Sequence, residues 1–234
     1  MLKIIPFENY KDTEALYAFA DLRGFGSWSK NYPAEIQKLM EITYSLAKYY
    51  FDDEKTKRLV KFLGDGFFSV NEFISGDDNS FSASVHTMVN DILSFLDDFN
   101  TMILNSSLHD KHSLGIGFGV TYGHGYRFHL PGYPTDYIGV QVNIASRLCS
   151  LAHHSEIVFE HDLKYNVQEV LSQRLSKLKG KEDKLNFKDL THFKVYRVRD
   201  IYQELKKPEV YEALNTIIRE VEKLQKQRDK NKTD

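Results

Sequence analysis

Apolar residues change their period several times along the chain, and each change marks an element. Two β-prone runs, Leu59-Val60-Lys61-Phe62-Leu63 and Phe67-Phe68-Ser69-Val70, flank Gly64-Asp65-Gly66. That is the signature of a tight hairpin with unusual backbone angles at its turn and a carboxylate at its tip. Upstream, Glu14 to Leu22 reads as a strand ending near Asp21, followed by the glycine-bearing turn Arg23-Gly24-Phe25-Gly26. Ser27 to Asp53 is expected to turn helical. Ile36, Leu39, Met40, Leu46, Ala47 and Tyr50 recur at helical spacing, Pro33 suits a first turn, and Thr43 is the one polar position in the stripe.

Beyond the hairpin, Ser75 to Ser80 is a polar loop, and a helical stripe runs through Val85, Met88, Val89, Ile92, Leu93, Leu96 and Phe99. Leu114 to Tyr122 alternates glycine with apolar residues, so Gly115, Gly117 and Gly119 share one strand face and allow close backbone approach. Gly123 to Pro134 reads as a loop or hairpin arm, and Asp136-Tyr137-Ile138-Gly139 leads into a helix through Ala152. Glu156 to Glu160 is expected as a strand, Lys164 to Leu178 as a helix, Lys181 to Asp189 as a charged loop, and Phe193 to Val198 as a last strand. From Pro208, Val210, Leu214, Ile217, Val221 and Leu224 form a short heptad seam, which fits either a coiled coil or packing onto the chain's own domain. The expected class is α+β or an α/β sandwich, with one domain over residues 1–200 and an amphipathic helix with a frayed tail over 201–234.

Composition narrows the function classes. The 234 residues are 41% hydrophobic and 27% charged, enough for a sizeable core. A net charge of -2, from 31 basic and 33 acidic residues, gives no general attraction to nucleic acid or anionic membrane. No apolar run approaches the roughly 18 residues of a membrane span, and the N-terminus lacks a signal peptide's apolar core, so a cytoplasmic protein is expected. The single cysteine, Cys149, forms no intrachain disulfide and is expected in the core. His153, His154 and His161 read as surface or capping residues rather than zinc ligands.

The chemistry gathers on strand ends. Asp21 and Asp65 each sit beside glycine turns, and if they converge their hard oxygens suit Mg²⁺ or Mn²⁺. Asn143 and Arg147, four apart, share one helix face. The blocks Phe19-Ala20-Asp21-Leu22-Arg23-Gly24-Phe25, Lys61-Phe62-Leu63-Gly64-Asp65-Gly66 and Asp136-Tyr137-Ile138-Gly139-Val140-Gln141-Val142-Asn143-Ile144-Ala145-Ser146-Arg147-Leu148 resemble the three signature blocks of class III nucleotidyl cyclases, in the family's order. Lys188-Asp189-Leu190 resembles the family's lysine-glycine-leading last strand, with Asp189 where glycine is usual.

The resemblance implies an α+β cyclase fold: a ferredoxin-like βαββαβ core with an extra β-arm and a C-terminal helix. It implies that Asp21, Asp65 and the Leu22 carbonyl hold two divalent cations, Mn²⁺ or Mg²⁺. Arg147 would stabilise charge at the α-phosphate, Asn143 would orient the ribose, and Lys188 would hold the outer phosphates. Phe25 would pack by the sugar, and the Gly24 to Gly26 amides would meet phosphate. The family shares its sites between two subunits, so a homodimer with two equivalent sites follows. The same fold also includes homologues that bind nucleotide without turnover, marked by loss of a metal aspartate or the arginine, both of which this sequence keeps.

Lys61 and Asp136 occupy the family's base-reading positions. A lysine donor beside a carboxylate acceptor suits adenine, and equally suits uracil O4 and N3–H. Tyr137 puts a ring where relatives often carry an aliphatic residue, and Tyr17 shares a strand face with Asp21, which would narrow a pocket toward a pyrimidine. Val140-Gln141 departs from the acidic or small residues usual after that glycine. Without a recognisable sensory module, the chain resembles the free-standing cyclases of Pycsar antiphage systems, whose cyclic UMP or cyclic CMP switches on a separate effector protein. The reading is therefore a pyrimidine cyclase with uracil ahead of cytosine, and adenylate cyclase as the alternative.

Overall fold

The structure, a computed structural model, describes residues 8–53, 58–175, 178–187 and 190–201. Lys188, Asp189 and the helix expected from Pro208 lie outside the described residues. In chain order the elements are β1 (Glu8–Arg23), α1 (Phe25–Asn31), α2 (Ile36–Phe51), β2 (Arg58–Leu63), β3 (Gly66–Glu72), α3 (Asp78–Asn105), β4 (Gly115–His129), β5 (Asp136–Ile138), α4 (Val140–Leu151), β6 (Ile157–Glu160), α5 (Lys164–Arg174), β7 (Lys181–Phe187) and β8 (Leu190–Val198).

One sheet carries the fold, in the order β2-β3-β1-β4-β6-β8-β7, with β5 paired to the outer half of β4. Its pairings are antiparallel except β4 with β6. The first four strands, with α2 and α3 as the helical segments between them, make the ferredoxin-like βαββαβ unit, and the β4–β5 pair is its added arm. The class is α+β.

Strand parity sorts the side chains. Along β1, Leu16, Ala18, Ala20 and Leu22 enter the main core, where α2, α3 and α5 cover one face of the sheet. Phe51, Phe67, Phe95 and Phe118 meet there with ring centroids 5.3 to 6.4 Å apart. Ala15 and Tyr17 point the other way, toward α4. Thr43 is fully buried in the α2 stripe, and its hydroxyl donates to the Leu39 carbonyl at 2.9 Å, which removes the cost of burying it.

Helix α4 lies unusually close to the sheet. A Cβ on Gly119 would collide with the backbone of Ala145, Leu148 and Cys149, so the alternating glycines of β4 are what let the helix in. Cys149 packs into this seam, 4% exposed, and burial pushes its thiol up to about 12. Past the helix, buried Glu156 accepts from Arg197 at 2.7 and 2.8 Å, from Arg199 at 2.5 Å and from the His153 amide at 2.8 Å. Arg197 also donates to the Leu151 carbonyl at 3.0 Å, which ties the end of α4 to β8.

Several boundaries differ from the sequence reading. The first strand starts at Glu8 rather than Glu14, because its outer half pairs with the arm of β4. The helix expected from Ser27 to Asp53 is two helices, interrupted at Tyr32, since the residue before a proline is pushed out of helical conformation. Of the two readings for Gly123 to Pro134, a loop or a hairpin arm, the arm holds: Gly123 to His129 continues β4 and its outer end pairs with β5. Helix α5 ends at Arg174, short of Leu178. Lys181 to Phe187, expected as part of a charged loop, is the edge strand β7, and charge is what a sheet edge tolerates.

Burial opposes ionisation of Glu156, yet the Arg197 and Arg199 hydrogen bonds more than offset it and hold its carboxyl down to about 2. The stability it contributes is present above its ordinary value of 4.5 and lost as pH falls toward 2. Glu156→Ala leaves Arg197 buried without its partner and should lower unfolding free energy by about 3 kcal/mol in a guanidinium chloride titration near neutral pH. Native Cys149 should resist an aromatic disulfide reagent at pH 8 and react at once when the chain is unfolded, as absorbance of the released thiolate would record.

Candidate active site

The β2–β3 connection is a two-residue loop, Gly64-Asp65, closed by the pairing of Leu63 with Gly66. Gly64 takes a positive φ of 67° and Asp65 does not, the pattern of a type II′ turn. Gly66 needs its missing Cβ for a different reason: one there would strike the Ala20 carbonyl. The hairpin tip therefore presses directly onto the end of β1. Asp21 pairs in register with Gly66, and the Leu22 amide donates to the Asp65 carbonyl at 3.3 Å. Asp21 and Asp65 are thus brought together.

Burial raises the pKa of Asp21, the Arg23 guanidinium lowers it, and the neighbouring charge of Asp65 raises it again. Two carboxylates on adjoining strand ends, next to a main-chain carbonyl at Leu22, are a donor set that a hard divalent cation fits. The tip is also pinned from the side by α2. Tyr44 stacks on Phe62 at 4.1 Å, and its hydroxyl donates to the Gly64 carbonyl. Sequence reading missed Tyr44. Its position beside the helical stripe, opposite no partner visible in one dimension, gave no signal.

Lys61 lies on β2 two residues beyond Leu59, which packs against the Tyr17 cluster, so both face the α4 side of the sheet. There Lys61 Nζ donates to Asp136 Oδ2. The other carboxylate oxygen accepts from the Tyr137 amide at 2.9 Å, which fixes its direction. The pair is partly exposed, a donor and an acceptor side by side. The Tyr137 ring is buried with Tyr17, Phe68 and Val70, and its hydroxyl donates to Glu72 at 2.8 Å. Tyr17 meets Tyr137 edge-on at 6.3 Å.

On α4, Asn143 is exposed and Arg147 half-buried, one turn apart. Gly24 begins α1 with a positive φ of 80°, and Phe25 packs at the edge of the main core. Gly26 is exposed, with open space around its Cα. Asp21, Leu22, Asp65, Gly24, Phe25 and Gly26 thus gather at one end of β1, while Lys61, Asp136 and Tyr137 gather where β2 meets β5. A cavity of about 870 Å³ borders the second group through Leu59, Thr135 and Tyr137 and includes neither Asp21 nor Asp65. His154 Nε2 donates to the Leu114 carbonyl at 2.7 Å, and His161 lies 3.5 Å from Asp162 and from Glu182. No helix among the described residues is long and apolar enough to cross a membrane.

Comparison with curated protein sequences finds no match. Solved structures do match. The adenylyl cyclase CyaB from P. aeruginosa superposes with a TM-score of 0.58 at 18% identity, over 82% of this chain and 97% of that one. The guanylate cyclase domain of RhGC from Catenaria anguillulae, in complex with GTP, gives 0.54 at 20% identity, over 81% and 98%. A bacterial light-regulated adenylyl cyclase gives 0.59 at 17% identity, over 85% and 57%. At these identities the likeness is one of fold. A family model, the adenylate and guanylate cyclase catalytic domain, matches residues 8–199. The chain therefore belongs to the adenylate and guanylate cyclase catalytic domain family, the class III nucleotidyl cyclases.

Proposed function

We propose that the protein is a homodimeric nucleotidyl cyclase that converts UTP to 3′,5′-cyclic UMP and pyrophosphate. The observation that carries the cyclase reading is the junction of β1 with the β2–β3 turn, where the Leu22 amide reaches the Asp65 carbonyl and Asp21 pairs in register with Gly66 beside Asp65. Asp21, Asp65 and the Leu22 carbonyl would hold two divalent cations, Mn²⁺ or Mg²⁺, whose charge acidifies the ribose 3′-OH and neutralises the triphosphate.

The rest of the work falls to side chains. Attack of the 3′-oxygen on the α-phosphorus forms the ring as the bond to the β-phosphate's bridging oxygen breaks and pyrophosphate leaves. Arg147 opposes the negative charge gathering there, Asn143 one helical turn before it orients the ribose, and Lys188 holds the departing phosphates. Phe25 packs by the sugar, and the amides of Gly24 and Gly26 meet phosphate. The metal-holding groups of one protomer work with Lys61, Asp136, Asn143 and Arg147 of the other, so two-fold symmetry completes two sites.

Lys61 and Asp136 read the base. Their side-by-side donor and acceptor match uracil O4 and N3–H, and the rings of Tyr17, Phe68 and Tyr137 packed next to them favour the smaller base. Adenine is the second reading. The same pair matches its N1 and amino group, and the relatives in fold include adenylyl cyclases. The product of such a cyclase would act as an antiphage second messenger read by a separate effector protein.

Purified protein given all four ribonucleoside triphosphates with Mn²⁺ should release cyclic UMP, resolved by chromatography. Cyclic AMP as the sole product would overturn the uracil reading and leave the cyclase reading standing. Asp65→Ala should lower product formation by about a hundredfold or more while sedimentation still reports the dimer. Undiminished turnover in that variant rejects the two-aspartate assignment.

A further inference from the structure

Arg23 stands two residues past Asp21, on the same face of β1. Its Nη1 donates to Asp21 Oδ2 at 3.0 Å. Its Nη2 donates to the Cys149 carbonyl on α4, with the sulfur of that residue 3.5 Å away. The Nε is buried without a hydrogen-bond partner, so the side chain is held in a place that costs it one donor. It can lie there only because β4 is bare beneath it. A Cβ on Gly117 would come within 2.7 Å of Nε and 3.0 Å of Nη2.

We propose that Arg23 is a positioning residue, an internal cation that orients the Asp21 carboxylate and latches it to the helix that carries Arg147. The guanidinium is suited to this by its rigid fork, which serves two acceptors about a central carbon in fixed relation. Cys149 is two residues past Arg147, so the latch sets where α4 stands relative to Asp21. Resting on the cyclase reading, it also joins the two sites of the dimer: Asp21 serves one, and Arg147 of the same chain serves the other. A divalent cation held by Asp21 would meet the Arg23 charge beside the same carboxylate, so the guanidinium strengthens order at the expense of metal affinity.

The test compares wild-type full-length protein with R23Q, R23K and G117A. Three quantities are read: Mn²⁺ binding without nucleotide, from the free-ion electron paramagnetic resonance signal; kcat and KM; and the melting temperature. R23Q should bind Mn²⁺ about threefold more tightly, because a competing charge is gone, yet lose about tenfold in kcat with KM little changed. R23K keeps the charge and loses the fork, so wild-type Mn²⁺ affinity should accompany the lowered kcat. G117A displaces the guanidinium without altering it and should reproduce R23Q. A lower melting temperature with Mn²⁺ affinity and kcat unchanged means Arg23 is merely structural and overturns the proposal, as do wild-type values throughout. Should the wild type form no cyclic product, the cyclase reading fails by itself. The Mn²⁺ titration then decides alone, tighter binding by R23Q supporting the latch and unchanged binding overturning it.

Discussion

The approach of α4 to β4 is the constraint on which the rest depends. At Gly119 the helix backbone occupies the volume that any side chain would need. Contact this close leaves no room for a side chain, so the helix reaches this depth only because the strand is bare there. Because α4 is seated so deeply, its first residues follow directly on the short strand that carries Asp136, and its last turn brings the Cys149 carbonyl within reach of Arg23. Below it, Glu156 and Arg197 anchor the far end to β8. A helix fixed at the middle and at one end has little freedom at the other.

Strand parity does the complementary sorting. On β1 the even positions build the main core and the odd ones face α4, so Tyr17, Asp21 and Arg23 share a side by arithmetic alone. A one-residue slip would exchange the two sets, and the phenylalanine-rich core beneath α3 resists such a slip. The core thereby holds the register of the candidate site without touching it.

Much of this was legible in the sequence because the signals are local. The Gly64-Asp65-Gly66 turn, the glycine face of β4 and the alternation ending at Asp21 are periodicities and turn chemistry that one strand can display. The break at Tyr32 and the edge strand β7 were less so. Tyr32 yields to a proline that also fits a helix start, and β7 reads as a charged loop because an edge strand faces solvent on its outer side. Candidate residues could be named from the sequence, but the contacts between them could not. Arg23 and Cys149 are 126 positions apart, and Tyr44 reaches Gly64 across a fold rather than along a pattern. Base choice has a different obstacle: one donor and one acceptor describe two bases equally well, so the letters alone carry no distinction.

The long pairing of β1 with β4 bears on how the chain is made. Asp21 finds its register partner Gly117 across on the order of a hundred intervening residues, a separation that slows sheet completion. As the chain leaves the ribosome, β1 can join β3 early, but its other edge must wait until β4 has been synthesised. Until then the strand that ends in Asp21 and Arg23 is open on one side, with α4 and its carbonyl not yet present. The latch between them is therefore unavailable until α4 has been made, and the two carboxylates meet before the cation's second anchor exists.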